Sequence, residues 1–143
     1  MSMSRLLNGH LHPLLVHFPI GLVLTAAMAE TVALATGIKK WRVVAVANLR
    51  LGSVFALAAA ATGWLLAESS AVEDAHTLGW HQWLGTGALF ATLVATVATA
   101  QMDIQSGQTR RLYYVALAAA TLLVAATGHI GGVLVWGVDF LRQ

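Results

Sequence analysis

Four long apolar runs separated by short polar breaks set the pattern of this chain: Leu14 to Thr36, Leu51 to Ala67, Trp80 to Met102 and Leu112 to Trp136. A hydrocarbon layer about 30 Å thick takes roughly 20 helical residues to cross, and a backbone inside it must satisfy its own hydrogen bonds. The runs therefore predict four spanning helices, at about 14–36, 47–67, 80–102 and 112–136, the second borrowing a turn from Val43 to Arg50. No stretch outside them is long enough for a separate fold. Residues 1–143 read as one all-α domain, an integral membrane four-helix bundle. Pro13 suits a first helical turn, whereas Pro19 lies deeper and should bend the helix or free a carbonyl near His17.

Composition strengthens this reading. Apolar residues make up 58% of the chain and charged residues 10%, against about half and a quarter in a soluble domain. The N-terminus lacks the basic stretch, short apolar run and small-residue site of a cleaved signal, so helix one is expected to stay. The absence of cysteine excludes disulfides, thiolate metal ligands and the covalent attachment of a c-type haem.

Charge then orients the helices. The first and third loops lie on one side and, with Arg50, hold Lys39, Lys40, Arg42, Arg110 and Arg111, most of the basic residues. The positive-inside rule makes that side cytoplasmic. Both termini and the acidic loop with Glu68, Glu73 and Asp74 then face outward, which in a bacterial inner membrane means the periplasm. Trp41, Tyr113 and Tyr114 suit an interfacial belt, and the Ala- and Gly-rich helix faces suit close packing. Glu30 is an intramembrane carboxylate, expected to pair with Arg50 or to relay protons.

All six histidines, His10, His12, His17, His76, His81 and His129, fall on the outer half under this topology. The chain also repeats itself: His17-Phe18-Pro19-Ile20-Gly21 answers His81-Gln82-Trp83-Leu84-Gly85, and Thr62-Gly63 answers Thr127-Gly128. Two pseudo-repeated helical hairpins give this pattern. Helices one and three are then diagonal, with His17 facing His81, and Gly21 and Gly85 one turn below make room for a flat group. His17, His81 and His129 form the deeper tier and the candidate metal ligands. His12 sits above, about 140° round the helix from His17 at 100° per residue. His10 and His76 read as interfacial residues.

The segments HPLLVHFPIG, WHQWLGTG and GHIGGVLVWGVDFL resemble the bacterial membrane-protein family catalogued as domain of unknown function 2231, in order and over nearly the whole chain. The resemblance implies a four-helix membrane protein, some relatives being fused to cytochrome c domains, and hence a place in respiratory electron transfer. The positions it carries over are His12, Pro13, His17, Pro19, His81, Gly85, His129, Gly131, Gly132 and Asp139. Where many relatives have a further histidine, this chain has Trp136.

Haem b is the cofactor that the residues suit best, because imidazole is its usual ligand in bundles and no cysteine or methionine lies near the tier. His17 and His81 are the expected axial ligands. His129 is an alternative ligand or a propionate donor, and His12 serves the propionates or a second haem. The function expected is electron transfer by a cytochrome b-like subunit of an oxidoreductase complex. Its partners would be the lipid bilayer, other membrane subunits, a quinol, and a periplasmic cytochrome or dehydrogenase. The alternatives are a cofactor-free membrane anchor and a copper or zinc site on three imidazoles. Nothing resembles a nucleotide-binding loop, a nucleophilic serine site or a carboxylate pair, so neither a nucleic-acid partner nor a self-sufficient enzyme is expected.

Overall fold

The computed structural model describes residues 3–69, 74–100 and 107–137, with side chains from residue 11 onward in the first helix and to residue 68 in the second. Four α-helices account for them: α1 (Met3–Thr36), α2 (Lys39–Ser69), α3 (Ala75–Ala100) and α4 (Gly107–Trp136). All four are long and apolar enough to cross a membrane. α1 packs on α2 and α4, and α3 packs on α4 and α2, so that α1 and α3 lie diagonally across the bundle. The two hairpins and the diagonal pair follow the sequence reading.

The helix ends do not. α1 starts at Met3 instead of near Pro13, so both prolines are interior and α1 runs 34 residues, about 51 Å at 1.5 Å per residue. α2 starts at Lys39 instead of 47, α3 at Ala75 instead of 80, and α4 at Gly107 instead of 112. Hydrophobicity marks what lies in hydrocarbon, whereas a helix already nucleated continues into the headgroup layer because each further residue adds a backbone hydrogen bond. The expected end of helix three at Met102 lies outside the described residues, as does Asp139. Gly37 turns the chain between α1 and α2 at φ +69°, a left-handed cap that only glycine adopts without strain.

The core is built mainly of alanine. Val23, Ala26, Ala29 and Ala33 of α1 are buried together with Ala45, Leu49, Ala56 and Ala59 of α2, while α3 and α4 contribute Ala88, Ala95, Ala116, Ala120 and Val124. In lipid there is little hydrophobic gain from helix association, so close approach of small residues and interhelical hydrogen bonds must hold the bundle. Ser53 Oγ lies 2.6 Å from Thr96 Oγ1, and Trp64 Nε1 donates to Thr86 Oγ1 at 3.1 Å. The large side chains point outward: Met28, Val54, Phe90 and Leu122 are all more than 60% exposed, as lipid-facing residues should be.

Candidate functional site

His12 and His81 come together in the half of the bundle remote from the α1–α2 turn at Gly37. Their ring centroids are 6.2 Å apart and their planes cross at 88°. The rotation of α1 brings this about. His12 lies 7, 11 and 14 residues before Pro19, Val23 and Ala26, intervals that return to nearly the same helix face, and all three are buried. His81 stands in the same relation to Ala88, Thr92 and Ala95, also buried.

Each ring is anchored to its hairpin partner in the same way. His12 Nδ1 donates to the Ala59 carbonyl at 3.0 Å and lies 3.3 Å from Thr62 Oγ1. His81 Nδ1 donates to the Thr127 carbonyl at 3.2 Å. A carbonyl only accepts, so Nδ1 carries a hydrogen in both rings, and in the neutral form of each Nε2 is the nitrogen with the lone pair. That is the arrangement in which a histidine is oriented as a metal ligand by its other nitrogen. Both anchors need a glycine: a Cβ on Gly63 would sit 2.7 Å from His12 Cε1, and one on Gly131 would sit 3.0 Å from His81 Cε1. Beside His81, the hydroxyl of Thr127 is buried without a hydrogen-bond partner.

The pair corrects the repeat read from the sequence. His12, not His17, is the counterpart of His81, and Ala59 and Gly63 answer Thr127 and Gly131. His17 is exposed on α1, its Nδ1 donating to the Pro13 carbonyl of its own helix. His129 is also exposed. Gly21 faces open space, and a Cβ on Gly85 would meet only Thr127 Cγ2, at 3.4 Å, so the room beside the rings comes from Gly63 and Gly131. His76 accepts a bond from Trp80 Nε1 at 3.3 Å, and the side chain of His10 lies outside the described residues. The signal missed was the buried face carrying Pro19 and Val23, at 7 and 11 residues from His12. His17 runs instead to Met28, and His129 back to Leu122, two of the most exposed side chains.

A second polar cluster closes the basic end of the bundle. Glu30 is 2% exposed, and Arg42 Nε and Nη2 donate to its Oε1 at 3.0 and 2.6 Å. Tyr113 OH donates to Glu30 Oε2 at 3.1 Å, and Arg42 Nη2 also donates to Tyr114 OH at 2.9 Å. The partner of Glu30 is thus Arg42 instead of Arg50, because the two-residue connection at Gly37 and Ile38 brings the start of α2 back beside it. With both carboxylate oxygens engaged, the cluster ties α1, α2 and α4 together.

The histidine pair offers two imidazole nitrogens from two different helices. The two imidazoles, 6.2 Å apart between ring centroids, are near enough for one group to be held by both. Among the described residues no three His, Asp or Glu side chains converge on a metal position. A ligand set of two therefore suits a group that brings its own equatorial nitrogens. A bare zinc ion, which takes four ligands, is poorly served by it.

Fold and site together define a class: a small four-helix membrane bundle with an inward-facing histidine on each hairpin. Residues 9–140 match the family described as Predicted membrane protein (DUF2231), and the chain belongs to that family. No curated protein and no solved structure matches it.

Proposed function

We propose that this chain is a membrane-embedded electron-transfer subunit of the b-type cytochrome kind, in which His12 and His81 would hold one haem b. The observation that carries the reading is the close imidazole pair, 6.2 Å between centroids, with both Nδ1 atoms committed to helix carbonyls. Bound there, the haem would supply a reversible one-electron couple. The chain's own residues do the rest. The Ala59 and Thr127 carbonyls fix ring tautomer and orientation, Gly63 and Gly131 let the rings lie against α2 and α4, and the surrounding apolar helices keep water from the pair.

Charge distribution supports a bacterial inner membrane with the basic end cytoplasmic and both termini periplasmic. The histidine pair would then exchange electrons near the periplasmic face with a quinol or a periplasmic redox protein. The competing reading is a cofactor-free anchor, favoured by the same two Nδ1 bonds, since each also ties one helix to its hairpin neighbour. Visible spectra of the purified protein, produced with ample haem, separate the two. Sharp α and Soret bands on dithionite reduction are expected. A featureless spectrum from folded protein sinks the haem assignment and leaves the anchor.

A further inference from the structure

His17 and His129 are exposed, although both lie within candidate spans, Leu11–Thr36 of α1 and Gly107–Trp136 of α4, roughly 10 Å of helix rise from the neighbouring ends of those spans. An imidazole turned toward hydrocarbon is costly unless something engages it. Neither ring is fully engaged. His17 Nδ1 donates to the Pro13 carbonyl, so that in the neutral ring Nε2 remains an acceptor. Among the described residues the ring of His129 has no hydrogen-bond partner.

Helix geometry sets the two rings on one outer face. Ile20 Cδ1 lies 3.4 Å from where a Cβ of Gly128 would stand, which marks the line along which α1 meets α4. Round α1, at 100° per residue, Leu22 lies against Gly52 of α2, Val23 is buried, Ile20 meets α4, and His17 comes about 60° further on. Round α4, Thr127 lies against Gly85 of α3, Val124 is buried, Gly128 meets α1, and His129 comes about 100° further on. Each histidine therefore lies just past the α1–α4 contact, on the face turned away from the bundle centre. The two helices are antiparallel, since Tyr113 reaches Glu30 while Gly128 meets Ile20, and both rings are displaced from the contact toward the same end, about 3 Å apart along the axis. Gly132 falls between Gly128 and His129 round α4, near the level of His17, and a Cβ there would meet nothing within 4 Å. The result is a notch with an imidazole on either wall and no side chain on its floor.

We propose that this notch binds the head of a quinol dissolved in the bilayer, its two ring hydroxyls hydrogen-bonded to His17 and His129 and its ring laid over Gly132. The observations choose the chemistry of the occupant. His17 Nε2 accepts, so the partner must bring a hydroxyl, and imidazoles on two walls call for a polar group at each end of the molecule. The bare surface at Gly132 admits a flat ring. Further along the same face Met28 and Leu122 are exposed, so the notch opens to hydrocarbon, as a few polar groups in an otherwise apolar site should for an apolar ligand. That the ring is a redox-active quinol, and not another lipid-soluble diphenol, rests on the haem reading, in which the occupant would be the reductant of the group held by His12 and His81.

The test is nitrogen NMR of the full chain, purified in micelles with 15N-labelled histidine and kept reduced with dithionite. It is titrated with duroquinol and, separately, with the dimethyl ether of duroquinol, which keeps the ring but has no hydroxyl hydrogen. Duroquinol is expected to shift the ring nitrogens of His17 and His129, assigned from His17→Gln and His129→Gln, and the ether to shift neither. In each variant the remaining histidine of the two should report binding weakened roughly fivefold, the loss of about one hydrogen bond. Gly132→Leu should abolish the shifts by filling the notch, with circular dichroism checking that its helices are intact. No shift at His17 and His129, or equal shifts with the ether, overturns the proposal. Shifts that follow protein concentration instead of the probe also overturn it, by making a second copy of the chain the occupant. The readout is independent of haem. Duroquinol shifts in a protein with a featureless visible spectrum would keep the site and remove the haem reading, whereas a reduced α band without shifts would keep the haem and remove the site.

Discussion

His12 and His81 face each other from diagonal helices with their ring planes crossed at 88°, and each donates from Nδ1 to a carbonyl of the next helix in its own hairpin. The equivalence of these two anchors is the clearest internal symmetry in the molecule. It leads to a sharp expectation for the histidines. His12→Ala and His81→Ala should each remove the reduced α band, while His17→Ala and His129→Ala, whose side chains are exposed, should retain it. Loss of haem in His17→Ala with retention in His12→Ala would reverse the assignment.

The glycines beneath the rings allow a finer test. Gly63→Ala places a methyl group 2.7 Å from the His12 ring, tighter than the 3.0 Å that Gly131→Ala imposes on His81. Overpacking of this kind costs about 1–3 kcal/mol unless the ring swings away, and swinging away breaks the bond to Ala59. Haem retention should fall in both variants, more in Gly63→Ala, whereas Gly21→Ala and Gly132→Ala, which meet nothing within 4 Å, should behave as wild type. Retention measured by pyridine haemochrome per mole of protein ranks the four.

The Glu30 cluster makes a prediction about stability alone. Arg42→Ala leaves a buried carboxylate with Tyr113 as its remaining partner, and should cost about 2–3 kcal/mol, below the usual penalty for breaking a fully buried pair because the Arg42 side chain is 37% exposed. Tyr113→Phe removes one hydrogen bond to a charged group and should cost about 1.5 kcal/mol. Unfolding in mixed micelles of increasing sodium dodecyl sulfate fraction measures both. A midpoint for Arg42→Ala equal to the wild type would mean that the cluster does not depend on its cation.

Asp74 caps α3: its carboxylate accepts from the Thr77 amide at 3.0 Å and from the Thr77 hydroxyl. The bond from the Thr77 hydroxyl, followed by that from the Thr77 amide, holds the carboxyl below the usual carboxylate range. The lowered value sets the sign. The stabilisation is complete above the ordinary range and is lost as pH falls through the lowered folded value. Protection of the Thr77 and Leu78 amides, relative to their intrinsic exchange rates at each pH, should fall on acidification through that window, and Asp74→Ala should show low protection at every pH. An exchange profile that Asp74→Ala leaves unchanged would show that the cap contributes nothing.

Much of the fold was legible because lipid imposes it. Four apolar runs had to be four helices, and short loops had to make two antiparallel hairpins. The site was legible as a set of histidines on one half, but not as a pair. The HxxxG pattern shared by His17 and His81 suggested one register, whereas the rotation of α1 is decided by where Val23, Ala26, Ala29 and Ala33 must pack. That buried face carries His12 inward and His17 outward. Glu30 was assigned to Arg50 for a similar reason: apolarity locates the hydrocarbon layer and not the tight turn at Gly37, which brings Arg42 within reach.

The hydrogen bonds that join the two hairpins are unevenly placed. Ser53 with Thr96 and Trp64 with Thr86 stitch α2 to α3 along one edge, and Tyr113 and Tyr114 clasp Glu30 and Arg42 at the basic end. At the histidine end of the opposite edge, α1 and α4 approach closely where Ile20 lies beside Gly128. The two hairpins are thus bound by polar contacts along α2 and α3 and at the Glu30 end, and by close apolar approach where α1 passes α4 beside the histidines.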